Sequence, residues 1–367
     1  KRDLSIADFR MACRAYAERF IGVMTSEFER LMVFGDWSHP YVTMSFQYQA
    51  DIARVLGKLV ERGLVYKGKK PVHWCIHCRT ALAEAEVQYE DHSSPSIFVE
   101  FPLNLESRPE LGSRFPALAG REVSVLIWTT RPWTIPSNLA VAFHPEFDYA
   151  AYDVDGRAVI VAESLAESVG TIVGRPFDRP VARMKGEALE GIRFRHPLYD
   201  RDSVGVLADY VTLEQGTGAV HTAPGHGADD FLTGMKYGLE IYAPVGPGGH
   251  FLNTVQLFGG QRVFDANPHV EKALEARGRL WHRELVSHQY PHCWRCHNPV
   301  IFLATSQWFV RMDGEASING GGESTSIRRT SSSLQALARR IAGCSSCSAV
   351  LAIRCSCRSP ATRCSNI

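Results

Sequence analysis

The sequence predicts a mixed α/β and β-rich fold, in which a β-rich domain is inserted into a partly helical one. Helical periodicity before residue 63 gives way to short β-rich runs from about residue 95. Two C-x-x-C pairs flank the β-rich region, with 214 residues between them. The length of 367 residues corresponds to two or three domains, at about 100–200 residues per domain.

The local patterns assign each element in turn. Apolar residues spaced by three or four predict helices over 5–24 and 46–62, the second ended by Gly63. A short strand is predicted at 71–75. Further strands are predicted at 96–101, 123–128, 139–143, 158–162 and 210–213, and helices at 228–238 and 266–277. Such closely spaced short strands predict a compact β-barrel or an α+β domain.

Composition and charge narrow the class of protein. A net charge of +1 argues against a uniformly basic nucleic-acid-binding surface but leaves room for a local basic groove. No apolar run reaches the roughly 18 residues of a membrane span, and no signal segment opens the chain. The cysteines are clustered rather than spread over a small secreted domain, so we expect a cytoplasmic protein with no membrane partner. Because the first residue is Lys1, we expect a piece of a longer protein.

The composition changes again near residue 314. The last 54 residues contain 12 Ser, 7 Arg and 5 Cys but no Lys. This segment has little apolar periodicity, so we expect it to be disordered or to derive from a shifted reading frame. The alternative is a second metal site formed by Cys344, Cys347, Cys355 and Cys357.

The two C-x-x-C pairs predict a structural zinc site. Cys75 and Cys78 form the first pair, and Cys293 and Cys296 form the second. Two such turns can complete a tetrahedral site of four thiolates. If both pairs share one ion, the chain between them must fold as an insertion with neighbouring ends. Unpaired buried thiols are the alternative, and a catalytic zinc is disfavoured because four protein ligands leave no open position.

Two segments inside the insertion carry polar groups suited to chemistry. In WTTRPWTIPSN (128–138), Thr129 and Thr130 follow an apolar strand, although an ordinary Thr-rich turn would look the same. GTGAVHTAPGHGADDF (216–231) combines glycines, two histidines and two acids. The acids could simply favour a helix N-terminus. His221, His226 and Asp230 could also hold a hydrolytic metal, although their spacing matches no known motif.

Six motifs together resemble one family. GDWSHPYVTM (35–44), KPVHWCIHCRTALAEAEVQY (70–89), the two segments above, YPHCWRC (290–296) and TSQWF (305–309) occur in this order in isoleucyl-tRNA synthetases of bacterial type. The resemblance covers about residues 5–313.

The resemblance implies a class I synthetase, whose Rossmann-type catalytic domain is split by an editing insertion on a zinc-bearing stalk. It divides the chain into part of the first catalytic half (1–70), the zinc-knuckle stalk (71–94 and 286–298), the editing domain (95–285), the re-entry to the catalytic domain (299–313) and an aberrant tail (314–367). The HIGH-type and KMSKS-type motifs are absent from the chain. We therefore expect no adenylate formation by the chain itself, and ATP, magnesium and isoleucine only in the complete enzyme.

The resemblance also implies roles in hydrolysing misacylated tRNA(Ile). Asp230 would pair with the substrate ammonium, while Thr129 and Thr130 would hold the terminal adenosine or orient a water. The substrate-binding residues would be His221, Asn138, Thr134 and Arg131. Arg131 replaces the third threonine usual in isoleucyl enzymes. The expected partner is the 3′ end of tRNA(Ile), bound by a monomer. The alternatives are a free-standing deacylase and a non-enzymatic tRNA-binding module stapled by zinc.

Overall fold

A computed structural model of the chain describes residues 4–312, which fall into two compact units. Of the described residues, 4–67 and 308–312 belong to the first unit, and 68–307 form the second. The tail at 314–367, with its predicted disorder or second metal site, lies outside the described residues.

Two helices form most of the described part of the first unit. Helix α1 spans Ile6–Arg30 and α2 spans Phe46–Glu61. Ser5 and Ser45 begin them, each accepting a hydrogen bond from the backbone N–H three residues later. Both predicted helices are present, although α1 continues six residues beyond the predicted end. Neither helix contains a buried residue, and among residues 4–312 no helix is long and apolar enough to cross a membrane.

The remaining elements alternate short strands with short helices. In chain order they are β1 (Val65–Cys75), β2 (Thr80–Leu82), β3 (Val87–Pro102), α3 (Arg108–Arg114), β4 (Val123–Thr129), β5 (Ala140–Phe143), β6 (Asp148–Val154), β7 (Arg157–Ala162), α4 (Ala166–Val173), β8 (Pro180–Lys185), β9 (Arg193–Arg195), β10 (Asp202–Leu207), β11 (Ala219–Thr222), α5 (Ala228–Lys236), α6 (Val263–Ala276), β12 (Leu280–Cys293) and β13 (Ile301–Val310).

The strands form three sheets. Their strand orders are β12-β3-β4-β7-β6-β8, β11-β5-β10-β9 and β13-β1-β2. The mixed α/β and β-rich class is confirmed. The described strands form open sheets, so their pairing does not describe the closed barrel that was one of the two predictions. Parallel pairs join β4 to β7 and β5 to β10, while the other pairs with an established register are antiparallel.

The pairing of β3 with β12 brings the ends of the insertion together. The register runs from Val99 opposite Leu280 to Val87 opposite Cys293. This ribbon is much longer than the predicted strand at 96–101, because its outer part carries mostly polar residues that give no apolar run. The two cysteine pairs therefore lie at one end of the same ribbon.

One predicted strand is wrong. Residues 210–213 form a loop after β10. Val211 is buried against Ala140, Ala142 and Val206, which explains the apolar pattern without strand pairing. The sequence also missed β2, β6, β8, β9, β10 and β11.

A buried tyrosine fixes the segment that leads into β11. The Tyr149 hydroxyl donates to the Gly218 carbonyl at 2.6 Å and accepts from the His144 N–H at 3.1 Å. Gly218 has φ +74, and a Cβ there would lie 2.3 Å from the Ala162 side chain. Only glycine fits this position, so the GTG sequence is needed for the backbone path.

We expect Tyr149→Phe to lower the free energy of unfolding by about 1–3 kcal/mol, because it leaves two buried backbone groups without their partner. Urea unfolding of the purified chain measures this. Tyr89→Phe is the matched control, since Tyr89 is largely exposed. Equal stability of the two variants would contradict the structural role of the Tyr149 hydroxyl.

Candidate functional site

The Thr-rich segment forms a rigid turn after β4. The Thr129 hydroxyl accepts a hydrogen bond from the Arg131 N–H at 3.1 Å. The Thr134 hydroxyl donates to the Arg131 carbonyl at 2.8 Å. Residues 132–137 then form a buried 3-10 helix whose prolines fix the backbone. Thr129 and Thr134 therefore hold Arg131 from both sides.

His221 of β11 meets this turn through Thr134. The Thr134 Oγ1 and the His221 Nε2 lie 2.9 Å apart. Because the hydroxyl already donates to Arg131, Nε2 must carry the proton, and the buried Nδ1 has no partner in the described part of the chain. Burial lowers the pKa of His221 to about 3, helped by the charge of Arg131. The ring is therefore neutral at pH 7.

His226 and Trp133 add two more buried polar atoms without a partner among residues 4–312. The His226 Nδ1 donates to the Phe302 carbonyl at 3.0 Å, whereas the unprotonated Nε2 has no hydrogen-bond donor near it among the described residues. Its ring meets Trp133 edge-on at 5.0 Å, and the Trp133 Nε1 lacks an acceptor. Burial lowers the pKa of His226 to about 4. Unpaired buried polar atoms are rare in folded proteins, so this group marks a place for water or a polar ligand.

Asp230 lies in the first turn of α5. Its Oδ2 accepts a hydrogen bond from the Ala223 N–H at 2.8 Å. Burial raises the pKa of Asp230 to about 6, even though this hydrogen bond and the Arg131 charge act in the opposite direction. The carboxylate is thus ionised at pH 7, and one of its two oxygens accepts a hydrogen bond from the protein.

Asn138 lies at the end of the Thr-rich turn. Its side-chain amide donates to the Ala140 carbonyl at 2.7 Å, and its oxygen accepts from the Ser203 hydroxyl. The residue is fully buried. Both ends of the amide are engaged within the protein, so Asn138 supports the turn rather than contacting a ligand directly.

A cavity of about 710 Å³ opens beside the Thr-rich turn. Of the predicted site residues, Thr130 and Arg131 line it, whereas the other five predicted catalytic and substrate-binding residues do not. The sequence missed most of its lining. This lining comes from the β3–β12 ribbon, the two knuckles, the Thr-rich turn and α6: His77, His92, Ser93, Ser94, Pro95, Trp133, Arg262, Phe264, Asn267, Pro268, Glu271, Arg283, Glu284, Leu285, Tyr290, Asn298 and Pro299. Of these residues, His77, Trp133 and Tyr290 stand in motifs that the sequence analysis had singled out.

The four predicted cysteines meet at the end of the ribbon. All four sulfur atoms lie within 4.8 Å of one another, and the Sγ atoms of Cys75 and Cys296 are 3.5 Å apart. A tetrahedral zinc with Zn–S bonds of about 2.3 Å needs sulfur atoms roughly 3.8 Å apart. Arg79 and His297, each directly after a second cysteine, both have positive φ. The knuckles share one turn geometry, and the four donors fit a zinc ion.

The histidines and acids do not form a second metal centre. Within residues 4–312 the cysteine group alone brings at least three metal-binding side chains together. The alternative that His221, His226 and Asp230 bind a hydrolytic metal is therefore not supported.

The comparison with known families agrees with this arrangement. The profile of the family described as tRNA synthetases class I (I, L, M and V) matches residues 1–319. Because the match covers most of the chain, this chain belongs to that family of class I synthetases.

Two curated relatives are more specific. The chain is 50% identical over 313 residues to an isoleucine–tRNA ligase of Geobacter sulfurreducens, covering 85% of this chain and 33% of that protein. It is 49% identical over 313 residues to the isoleucine–tRNA ligase of Nitratidesulfovibrio vulgaris (strain DP4), with the same coverage. The chain thus spans about one third of the length of the curated relatives it matches.

A solved structure has a weaker similarity. It is the P. knowlesi cytosolic leucyl-tRNA synthetase editing domain, with a TM-score of 0.41 and 12% sequence identity. The match covers 53% of this chain and 97% of that structure. A similarity this low supports no inference about the site.

We expect Asp230→Asn to become more stable relative to the unmodified chain as the pH rises from about 4 to about 6. The folded pKa of Asp230, about 6, lies above its ordinary 3.8, so the folded chain binds more protons in this window. The unmodified chain therefore loses up to about 1.4 kcal/mol per pH unit from this group as the pH rises. His221 and His226 act in the opposite direction but equally in both proteins.

Urea unfolding of both proteins at several pH values in this window measures the difference in stability. A difference that does not change with pH would show that the carboxyl is not desolvated in the folded chain.

Proposed function

We propose that the chain is a part of an isoleucine–tRNA ligase and that it contains the domain that hydrolyses valine wrongly attached to tRNA(Ile). Membership of the class I family and about 50% identity to two isoleucine–tRNA ligases support the proposal. One structural observation carries the hydrolytic part: buried, unpaired polar atoms of His221, His226 and Trp133 gather around the Thr-rich turn. We propose residues 95–285 as the editing domain, within the compact unit 68–307.

A second site is needed because the two amino acids differ by one methylene. Isoleucyl-tRNA synthetases are a known case of this limit, with only about 150-fold discrimination against valine in the synthetic site. A smaller pocket that admits valine and excludes isoleucine removes the error by hydrolysis. His221, held rigidly by Thr134, would limit the size of that pocket.

Asp230 would bind the free ammonium of the aminoacyl ester. Its carboxylate is half-buried, and one oxygen is already held by the Ala223 N–H. A pKa of about 6 keeps it ionised at neutral pH, and an ammonium–carboxylate pair in a partly desolvated site is strong. The ester carbon would then be held close to the Thr-rich turn.

Hydrolysis would use a positioned water rather than a protein nucleophile. With a pKa of about 3, His221 is too weak a base to deprotonate water at neutral pH. Its unprotonated Nδ1 has no hydrogen-bond partner among the described residues, so it can accept a hydrogen bond from the water and orient it. The hydroxyls of Thr129 and Thr130, at the start of the turn, would stabilise the developing oxyanion or hold the adenosine.

Zinc would have a structural role. Cys75, Cys78, Cys293 and Cys296 would hold it, and four thiolates leave no position for a substrate. The ion would link the Cys75–Cys78 turn to the Cys293–Cys296 turn, where the inserted domain begins and ends. ATP, magnesium and isoleucine would bind only to the complete ligase, which we propose to be a cytoplasmic monomer with a Rossmann-type catalytic domain.

We expect Asp230→Ala to lower the deacylation of Val-tRNA(Ile) by the chain at least tenfold, because a charge-assisted pair is worth about 1.5–3 kcal/mol. The rate of the unmodified chain should also fall below about pH 6, as the carboxylate becomes protonated.

The matched control is Asp229→Ala, since Asp229 lies in the same first turn of α5 but is exposed. The proposed role of Asp230 would be refuted by unchanged deacylation in Asp230→Ala, or by an equal loss in Asp229→Ala.

We expect one zinc ion per purified chain and its loss in Cys293→Ser, because three thiolates bind zinc more weakly than four. Atomic emission spectroscopy measures the zinc content. Cys13→Ser is the control, since Cys13 is exposed on α1 and should not change that content. Full retention of zinc in Cys293→Ser would exclude the shared site.

A further inference from the structure

The loop between β9 and β10, residues 196–201, contacts the end of the buried 3-10 helix in the Thr-rich turn. The His196 Nε2 donates a hydrogen bond to the Ile135 carbonyl at 2.9 Å. The Arg201 Nη2 donates to the Pro136 carbonyl at 2.6 Å. The last carbonyls of a helix need partners from outside it, and these two side chains supply them.

His196 can donate in only one way. Its Nδ1 accepts hydrogen bonds from the backbone N–H groups of Leu198 and Tyr199, at 3.0 and 3.1 Å. The proton of the neutral ring must therefore lie on Nε2, which contacts the Ile135 carbonyl. Burial lowers the pKa of His196 to about 3, and the nearby charge of Arg201 adds to this effect. The ring is neutral at pH 7, and both of its nitrogens are used within the protein.

Two aromatic rings hold Arg201 in place. Its guanidinium carbon lies 5.3 Å from the centre of the Tyr199 ring and 5.4 Å from that of the Tyr242 ring. At this distance a guanidinium is attracted to the negative face of an aromatic ring. Because the rings restrain the guanidinium, its bond to the Pro136 carbonyl resists displacement of the helix end.

The start of the same 3-10 helix is held from another element. The Asn267 side-chain oxygen, on α6, accepts a hydrogen bond from the Trp133 N–H at 3.0 Å. Thr134 lies between the two points of attachment, one residue after Trp133 and one residue before Ile135. A short 3-10 helix is weak by itself, since its hydrogen bonds have poor geometry. The position of Thr134 therefore depends on contacts from outside the helix.

Thr134 carries this constraint to His221. Its hydroxyl oxygen lies 2.9 Å from the His221 Nε2, and His221 is the side chain that would limit the size of the amino-acid pocket. A site that separates valine from isoleucine by one methylene must keep its wall in place to within about 0.5 Å. A small shift of Thr134 would therefore be enough to admit isoleucine.

We infer that His196 and Arg201 are positioning residues that set the selectivity of the hydrolytic site. They hold the end of the 3-10 helix, the helix holds Thr134, and Thr134 holds the ring of His221. Neither side chain bonds to His221 itself, so we expect their loss to change the choice of substrate more than the rate with valine. The inference rests on the proposed hydrolysis of valyl-tRNA(Ile).

The test measures the hydrolysis of valyl-tRNA(Ile) and isoleucyl-tRNA(Ile) by the chain. Arg201→Met keeps an unbranched side chain beside the two rings but removes the donor to the Pro136 carbonyl. We expect the ratio of the two kcat/KM values, valyl over isoleucyl, to fall about tenfold, since one methylene is worth about 10–200-fold. The fall should come from faster hydrolysis of isoleucyl-tRNA(Ile). Arg201→Lys retains a donor and a positive charge, so it should restore most of the ratio.

Two variants of His196 test the other bond. The amide of His196→Gln can still donate to the Ile135 carbonyl, whereas the side chain of His196→Leu cannot. Only His196→Leu should lower the ratio by a similar factor. If His196→Leu does not fold, the Arg201 variants decide the question, since Arg201 is only partly buried.

Arg195→Met is the matched control. Arg195 lies in β9 of the same hairpin and pairs with Asp200 and Asp202, which follow it in the loop and in β10. Its loss loosens the hairpin without removing a donor to the 3-10 helix, so the ratio should be retained. An unchanged ratio in Arg201→Met, or an equal fall in Arg195→Met, would overturn the inference while leaving the hydrolytic function in place.

Nuclear magnetic resonance of the His221 ring separates this inference from the proposed function. In the unmodified chain the ring nitrogens should give the signals of a neutral imidazole protonated on Nε2, and these signals are assigned by their absence in His221→Gln. In Arg201→Met the bond to Thr134 should loosen, so the two signals should move towards each other as the other tautomer becomes populated.

The two proposals can then fail separately. If the unmodified chain hydrolyses neither ester but the His221 signals move in Arg201→Met, the proposed function fails and the positioning of His221 stands. If the signals are the same in both proteins, the positioning role is overturned, whatever the rates of hydrolysis.

Discussion

The pairing of β3 with β12 is the constraint on which both functional regions depend. The ribbon places Val87 opposite Cys293 at one end and Val99 opposite Leu280 at the other. Its first end brings together two cysteine pairs that are 214 residues apart in the sequence. Its middle supplies two walls of the cavity, from residues 92–95 and 283–285. Closing so long a loop costs conformational entropy, and the ladder together with a shared metal ion would offset that cost.

The sequence could predict features that are encoded locally. Helix α2 was predicted almost to the residue because its apolar spacing is regular and Gly63 ends it. The cysteine site was predicted because the two-residue spacing within each pair is itself the ligand geometry. The wrong strand at 210–213 shows the limit, since burial of Val211 in a loop produces the same apolar pattern as a half-buried strand.

The cavity could not be predicted because its walls come from distant segments. Arg262 and Phe264 begin α6, more than 100 residues after Arg131, and neither stands in a recognisable motif. The electrostatic interaction of Arg131 with Asp230 is likewise a tertiary property, since the two residues are 99 positions apart in the sequence. Asn138 shows the opposite limit. It is a polar residue in a conspicuous motif, but its side chain forms hydrogen bonds with Ala140 and Ser203 inside the protein.

The charges of the site make sense when the whole substrate end is considered. Arg131 and a substrate ammonium both act on Asp230, so two cations would share one carboxylate. Because His221 and His226 stay neutral, they add no further charge to this balance. Asp230 therefore couples the charge of Arg131 to that of a bound ammonium.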